Sequence, residues 1–381
     1  MDGTGAGVEV VQHGAMRVLL TGARAPATLE LARLCARASH TVHVADTHRW
    51  HICRFSRCIE GVHRLPAPRQ APRVYAEAVR GLVSHIGADV IVPTCEEVFH
   101  LAAARNDLGA RLACESRPVL AGLHDKWRFI EACSAAGVSA PRTFLLETAD
   151  SLRALPRDRY ILKPRYSRFA TRVRTWSTDD ALPALGPAHA REWIAQQQLT
   201  GTALCTWSVV VNGRVDAHAT YAVDETAGPR GAAIAFHTVR HEGVLAWVRR
   251  FATHHGLTGQ FAFDFVESSH GLMAIECNPR LTSGVHCFRS MPDVVRTLLD
   301  PQASAPMLTI EPAPGLSFRS RLALRMYGRP VRAGAGLLDA PDDPWPRRLQ
   351  LVAWSHMLAS SALARTDPRQ WSTRDIEWNG E

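Results

Sequence analysis

Apolar positions in this chain fall into short continuous runs separated by helical stripes. Met16-Arg-Val-Leu-Leu-Thr21 is a run of the length of a buried strand, and Leu31, Leu34, Cys35 and Ala38, spaced by three and four, predict one face of the helix after it. Val42–Ala45 predicts a second strand ending at Asp46. Beyond a Pro-rich loop at 66–72, the stripe of Tyr75, Ala78, Val79, Leu82 and Ile86 predicts a helix that leads into the strand Asp89–Pro93. Strand and helix in alternation predict a parallel sheet with helices on its faces, so residues 16–120 read as a Rossmann-like domain.

The pattern then changes. Asp125-Lys126 opens a predicted helix that runs to a capping Gly137, and Tyr160-Ile-Leu-Lys-Pro164 predicts a strand. The β-rich runs 204–211 and 214–222 are joined by Asn212-Gly213, the strongest short hairpin signal. A helical stripe of Val244, Leu245, Val248, Phe251 and Ala252 precedes the strand Gly259–Phe265. The turn Ser268–Gly271 and the strand Leu272–Cys277 follow, and Asn278-Pro279-Arg280 ends the run. Residues 1–15, Gly-rich and polar, are expected to be a disordered leader. Residues 301–381 carry a long apolar helix near 349–364 and are expected to pack on the core or on a second subunit as a homodimer.

A length of 381 residues implies two or three domains. Hydrophobic and charged fractions of 46% and 21% are ordinary globular values. No apolar run is of membrane-spanning length, and residues 1–15 lack the pattern of a secretory signal, so the expectation is a cytoplasmic protein with no membrane partner. Nine cysteines without a CxxC predict reduced thiols rather than a disulfide framework. The net charge of +8 is spread along the chain with no basic block interleaved with aromatics, which argues against nucleic acid and fits an anionic small molecule.

Candidate chemistry sharpens this outline. Lys126 and Lys163 are the only two lysines among 44 basic residues. Arginine serves every general purpose here, so a retained lysine is a candidate for placing a compact ammonium against phosphate oxygens. In the last hairpin Asp264 and Glu276 are predicted to face each other at about 5 Å, with Asn278 on the same face. Two carboxylates and an amide oxygen form a hard donor set suited to magnesium. Two rival sites are weaker. The first turn holds Gly22 alone where a dinucleotide fingerprint needs three glycines, leaving Asp46 as an ordinary strand-end acid. The spacing of His51, Cys53, Cys58 and His63 departs from the usual zinc knuckle.

A lysine at a helix start, a second in a Leu-Lys-Pro strand, the Gln196-Gln-Gln-Leu199 hinge before Gly201, the Phe-Asp-Phe strand and the Glu-Cys-Asn-Pro-Arg strand end together resemble the ATP-grasp superfamily, in its biotin-carboxylase and carbamoyl-phosphate-synthetase-like branch. The resemblance covers roughly residues 16–290. It implies a Rossmann-like pre-ATP-grasp domain at 16–120, a central subdomain at 121–200, a C-terminal subdomain with the metal site at 201–300, and a C-terminal extension at 301–381, a mixture of α/β and α+β.

The resemblance also implies ATP and Mg2+ as cofactors and an ATP-dependent carboxylate–amine ligase acting through an acyl phosphate on an amino-acid-like small molecule. Lys126 and Lys163 match the lysines that contact the nucleotide phosphates. Gln196, Gln197, Gln198 and Leu199 match the hinge that holds the adenine edge, and Asp264, Glu276 and Asn278 match the metal positions. Arg280 matches the arginine that meets the transferred phosphate, with Lys163 as its catalytic partner. Two departures stand out. The loop Arg165–Arg172 has no glycine, so Arg165, Ser167 and Arg168 stand where relatives cover the phosphates with a Gly-rich loop. Gln197 and Ala203 carry no acid for a ribose. These departures keep open a regulatory, nucleotide-binding protein that has lost turnover. His237, Arg240, His241, His286 and Arg289 flank the metal strands and are candidate substrate contacts. If the two lysines are retained for their shape, Lys163→Arg loses nucleotide-dependent ADP formation. Wild-type ADP release by that variant would remove the argument from scarcity.

Overall fold

The computed structural model describes residues 14–167, 172–183, 192–226, 233–303, 306–313, 315–317 and 335–380. Residues 1–13 of the expected leader, and Arg168, lie outside the described residues. The first unit is a parallel sheet of β1 (Arg17–Thr21), β2 (Thr41–Asp46), β3 (Gly61–Arg64), β4 (Val90–Val92) and β5 (Arg111–Leu112), in the order β3-β2-β1-β4-β5. Val18, Leu19 and Leu20 are fully buried, as a strand covered on both faces requires. Helices α1 (Pro26–Arg37) and α2 (Pro72–Ile86) each carry proline in the first turn, where no amide partner is lost, and the shorter α3 (Glu97–Ala103) and α4 (Arg117–His124) follow β4 and β5.

The turn between β1 and α1 is made by one glycine. Gly22 has φ +73°, and a Cβ there would sit 2.7 Å from Thr94 Oγ1. Asp46 at the end of β2 holds the Arg24 guanidinium at 2.6 Å. The zinc alternative does not assemble. His63 faces His43 at 3.2 Å, and among the described residues no three His, Cys, Asp or Glu side chains are placed to hold a metal ion.

A second, antiparallel sheet is formed by β6 (Thr143–Leu145), β7 (Arg159–Pro164), β8 (Arg174–Ser177) and β9 (Trp193–Gln197), in the order β6-β9-β7-β8, over a small core that includes Tyr160, Leu162, Trp176 and Trp193. The third sheet runs β14-β13-β10-β11-β12 from its edge, built from β10 (Gly201–Val211), β11 (Arg214–Thr226), β12 (Ala233–Val239), β13 (Gly259–Ser268) and β14 (Gly271–Asn278), with short strands Leu316–Ser317 and Ala335–Gly336 beyond β12. Asn212 and Gly213, both at positive φ, form the predicted two-residue turn between β10 and β11.

Phe261, Phe263 and Phe265 alternate along β13 and turn one face toward α5 (Lys126–Ala135) and α6 (Glu242–His255). Phe263 packs against Phe251 at 5.3 Å and Phe265 against Trp247 at 5.1 Å, both edge-on. Burial of this aromatic row fixes the strand's facing, so the intervening Asp264 must point to the opposite side. The first sheet and the third share a core in which Val18 and Leu29 join Trp207, Val285 and Phe288. That shared core sets the parallel sheet against the β10–β11 hairpin.

Gly201, which starts β10 just after β9 ends, lies against the partner strand. A Cβ there would fall 2.0 Å from the Glu267 carbonyl oxygen, a backbone atom that cannot step aside alone. Gly201→Ala is expected to cost about 1–3 kcal/mol by overpacking, read as a lower midpoint in chemical denaturation. An unchanged midpoint would mean that the β10 edge is free to move.

Candidate active site at the last hairpin

Ser268 pairs with Gly271 across a two-residue turn, and the ladder continues regularly to Phe265 opposite Ala274. There it slips by one residue, and Asp264 pairs with Glu276. Ile275 is the extra residue of a β-bulge. Without it Glu276 would face Phe263 and the helix side of the sheet. The predicted opposition of the two carboxylates is therefore present, and the bulge rather than the turn alone produces it. Asn278 lies on the same side, its Nδ2 3.4 Å from Asp264 Oδ2.

The bulge also exposes the Ile275 carbonyl, which accepts from Lys163 Nζ at 3.2 Å and from Gln196 Nε2 at 3.4 Å. Both donors come from the second sheet, where Lys163 pairs with Ile194 on β9 and Gln196 pairs with Ile161 on β7. The other lysine arrives from α5. Asp125 caps that helix by accepting from the Trp127 and Arg128 amides, which fixes Lys126 as its first residue. Lys126 Nζ donates to the Ser167 carbonyl at 3.0 Å and lies 3.7 Å from Glu276 Oε2. The two ammonium groups, on residues 4% and 5% exposed, thus reach one acidic hairpin from two different elements.

Electrostatics follow from this crowding. Burial pulls the Lys163 ammonium down to about 8 and Lys126 pushes the same way, against the attraction of Glu276 and Asp264. Asp264 is held well above the ordinary carboxylate range by burial and by the charge of Glu276. Burial acts on Glu276 in the same sense, yet Lys126 and Lys163 together hold it below that range. One acid of the pair is therefore charged while the other resists ionisation, as expected when two carboxylates share a site. A hard divalent cation would relieve the conflict, and the oxygens of Asp264, Glu276 and Asn278 suit one.

Arg280 flanks the acids. Its Nη2 donates to Asn278 Oδ1 at 3.2 Å and lies 3.8 Å from Glu96 Oε1, while Nε is buried with no hydrogen-bond partner among the described residues.

The other predicted residues are placed differently. Arg165 forks onto Asp125, with Nε 3.0 Å from Oδ1 and Nη2 in contact with Oδ2, so its charge ties the loop after β7 to the start of α5. Ser167 meets Lys126 through its carbonyl, not its hydroxyl. In the hinge, Gln197 Nε2 donates to Asp158 at 3.0 Å, and Gln198 Oε1 is buried without a partner among the described residues; Leu199 is half-buried. His286 and Arg289 both bind Glu30 of α1, at 3.0 and 3.1 Å. His237 pairs with Asp224, and Arg240 pairs with Glu242 on the surface. His241 caps α6 by accepting from the Val244 amide. Sequence reasoning missed Glu96, Tyr166 and Trp378, which gather beside Arg280 and the loop after β7. The first of these follows an apolar strand as Thr-Cys-Glu-Glu, a buried acid pair at a strand end that the pattern did display.

A family model described as an ATP-grasp domain matches residues 123–284, less than half of the chain. None of the curated proteins compared with the chain matches it. Among solved structures, the biotin carboxylase domain of Hydrogenobacter thermophilus 2-oxoglutarate carboxylase, in complex with MgADP, ADP and bicarbonate, is similar at 14% identity and a TM-score of 0.63, over 80% of this chain and 74% of that one. An L-amino acid ligase from Bacillus licheniformis is similar at 13% identity and 0.63, over 80% and 79%. The Staphylococcus aureus N5-carboxyaminoimidazole synthetase complexed with ADP is similar at 14% and 0.63, over 79% and 80%. These likenesses show the fold: residues 123–284 match an ATP-grasp domain, and the chain shares the overall fold of these structures.

The raised Asp264 makes the metal-free protein less stable as pH rises. The native state holds that proton longer than the unfolded chain, so stability falls from the ordinary carboxylate range near pH 4 up to the raised Asp264 value. Asp264→Asn, measured in chelator, is expected to raise Tm at about pH 8, and the gain should vanish at about pH 4, where both forms are neutral. A gain of the same size at both pH values would mean that repulsion between the acids is not its source.

Proposed function

We propose that the ATP-grasp domain at residues 123–284 serves an ATP- and magnesium-dependent ligase that joins the carboxylate of a small, amino-acid-like molecule to an amine. The observation that carries this reading is the convergence of Lys126 and Lys163 on the Asp264–Glu276 hairpin from two separate elements. Two buried point charges beside a hard oxygen donor set suit a nucleotide triphosphate and its metal better than any covalent catalysis. Phosphoryl transfer needs charge neutralisation and alignment more than a protein nucleophile. The similar structures, one in complex with MgADP, ADP and bicarbonate and another of an L-amino acid ligase, agree with this class.

In this reading a substrate carboxylate oxygen attacks the γ-phosphorus. A new P–O bond forms, the bond to the β,γ-bridging oxygen breaks and ADP leaves. The amine nitrogen then attacks the acyl carbon, the C–N bond forms, phosphate departs with the C–O electron pair, and the amine proton passes to solvent. Asp264, Glu276 and Asn278 would hold magnesium, which supplies charge neutralisation between the nucleotide phosphates. Lys163 and Lys126 bind phosphate oxygens, and in the free site Lys163 loses its charge as pH rises through about 8. Arg280 presents to the transferred phosphate a guanidinium whose buried Nε–H has no partner among the described residues, a planar fork that can meet two phosphate oxygens. At the hinge, the unpartnered Gln198 Oε1 is an acceptor of the kind an adenine amino group fills.

An ADP-release screen across pairs of small carboxylates and amines tests the reading. ADP should appear only when a matching pair and magnesium are both present. Glu276→Gln should abolish it without changing Tm by more than a few degrees. Full activity in that variant would remove the metal assignment, and nucleotide binding with no ADP release from any pair would favour a regulatory protein.

A further inference from the structure

The last stretch of the chain lies along the carboxyl edge of the first sheet. Asp375 takes Arg24 at 2.8 Å and accepts from the Thr47 hydroxyl, while its carbonyl accepts from the Arg69 amide at 3.1 Å. Ile376 and Trp378 are 3% and 5% exposed, so this is packed structure and not a trailing end. The Trp378 ring stacks on Phe99 at 4.8 Å and meets Tyr166, from the loop after β7, edge-on at 5.3 Å. Gly380, at φ +100°, passes so close to Tyr166 that a Cβ would lie 2.6 Å from its ring.

Glu96 joins this segment to the site. The Trp378 amide donates to Glu96 Oε2 at 3.3 Å, and the other oxygen of that carboxylate faces Arg280 Nη2 at 3.8 Å. Glu96 is 3% exposed. A buried carboxylate stays charged at low cost only when its oxygens meet donors, and here one oxygen meets the tail and the other faces the arginine. Arg280 is thereby flanked by Asn278 on its own strand end and by Glu96 from the first domain. The tail's place is set by Arg24, Thr47 and Arg69, all first-domain residues.

We propose that Glu96, held by the backbone of Trp378, is a positioning residue for Arg280, and that the C-terminal segment is a working part of the site. The tail orients the Glu96 carboxylate, and the carboxylate limits the directions in which the guanidinium can point. The proposal rests on the functional reading above for what Arg280 does once held, and its structural half stands apart from that reading.

Two full-length variants test it. Glu96→Gln keeps the shape and removes the charge that faces Arg280. Trp378→Ala keeps the amide and removes the ring that anchors it. Hydrogen exchange by mass spectrometry over 276–282 is the readout that needs no substrate. Both variants should exchange faster there while the aromatic core of β13 stays protected, and both should bind Mg·ADP within about twofold of wild type, because neither touches the lysines or Glu276. If a substrate pair is in hand, kcat should fall about tenfold, the lower end for a lost charged contact, with KM for ATP little changed. Unchanged exchange over 276–282 in both variants would overturn the proposal. So would a Tm loss with faster exchange throughout the third sheet, since that is a purely structural contact. A wild-type protein that releases no ADP defeats the functional reading alone, and the exchange result still decides the coupling.

Discussion

Two carboxylates on one face of one hairpin are the constraint around which this molecule is arranged. Asp264 and Glu276 are cross-strand partners, and burial makes their mutual repulsion stronger than it would be in water. Left alone such a pair would splay the strands or bind a proton. Here two ammonium groups and a guanidinium surround it, and the two acids divide their behaviour, one held charged by lysines and the other pushed toward neutrality. The phenylalanines of β13 make the arrangement hard to escape, because their packing under α6 locks the strand's facing.

The basic groups owe their positions to backbone events as much as to side chains. A bulge at Ile275 rotates Glu276 onto the face of Asp264 and turns a carbonyl toward the second sheet. That carbonyl takes Gln196 Nε2 as well as Lys163 Nζ, and an ammonium meets it in a confined space with three N–H groups free to rotate. A guanidinium would bring five N–H groups in a fixed plane and strand several of them in a buried position. The retention of lysine at 163 in a chain that otherwise uses arginine has its physical reason there. At 126 the reason differs: an N-terminal helical position, fixed by the Asp125 cap, aims a compact charge at Glu276 and at the carbonyl of Ser167.

The described start of the loop after β7, Arg165 to Ser167, is held from two sides. Arg165 is bound to Asp125, and Tyr166 is clamped between that aspartate and the Trp378 of the tail. The parallel sheet serves the same end, placing Glu96, in the turn beyond β4, where it can meet both the tail and Arg280.

Local patterning alone determined the alternating strands and helices of the first domain, the Asn212-Gly213 hairpin and the start of α5 at Lys126, whereas the opposition of Asp264 to Glu276 also needed the bulge at Ile275. The first three follow from neighbours a few residues apart, through periodicity or turn chemistry. Lys163 was legible from scarcity, though its partner, the Ile275 carbonyl, was not, because a bulge has no reliable one-residue signature. His237, Arg240, His241, His286 and Arg289 were near β13 and β14 in sequence, yet the fold engages them with Asp224, Glu242, a helix end and Glu30. Glu96 and Trp378, 282 residues apart, meet only because the tail returns to the edge of the first sheet. Contacts of that range depend on how whole sheets pack, which no local pattern encodes, and so tertiary structure alone decided which acid faces Arg280.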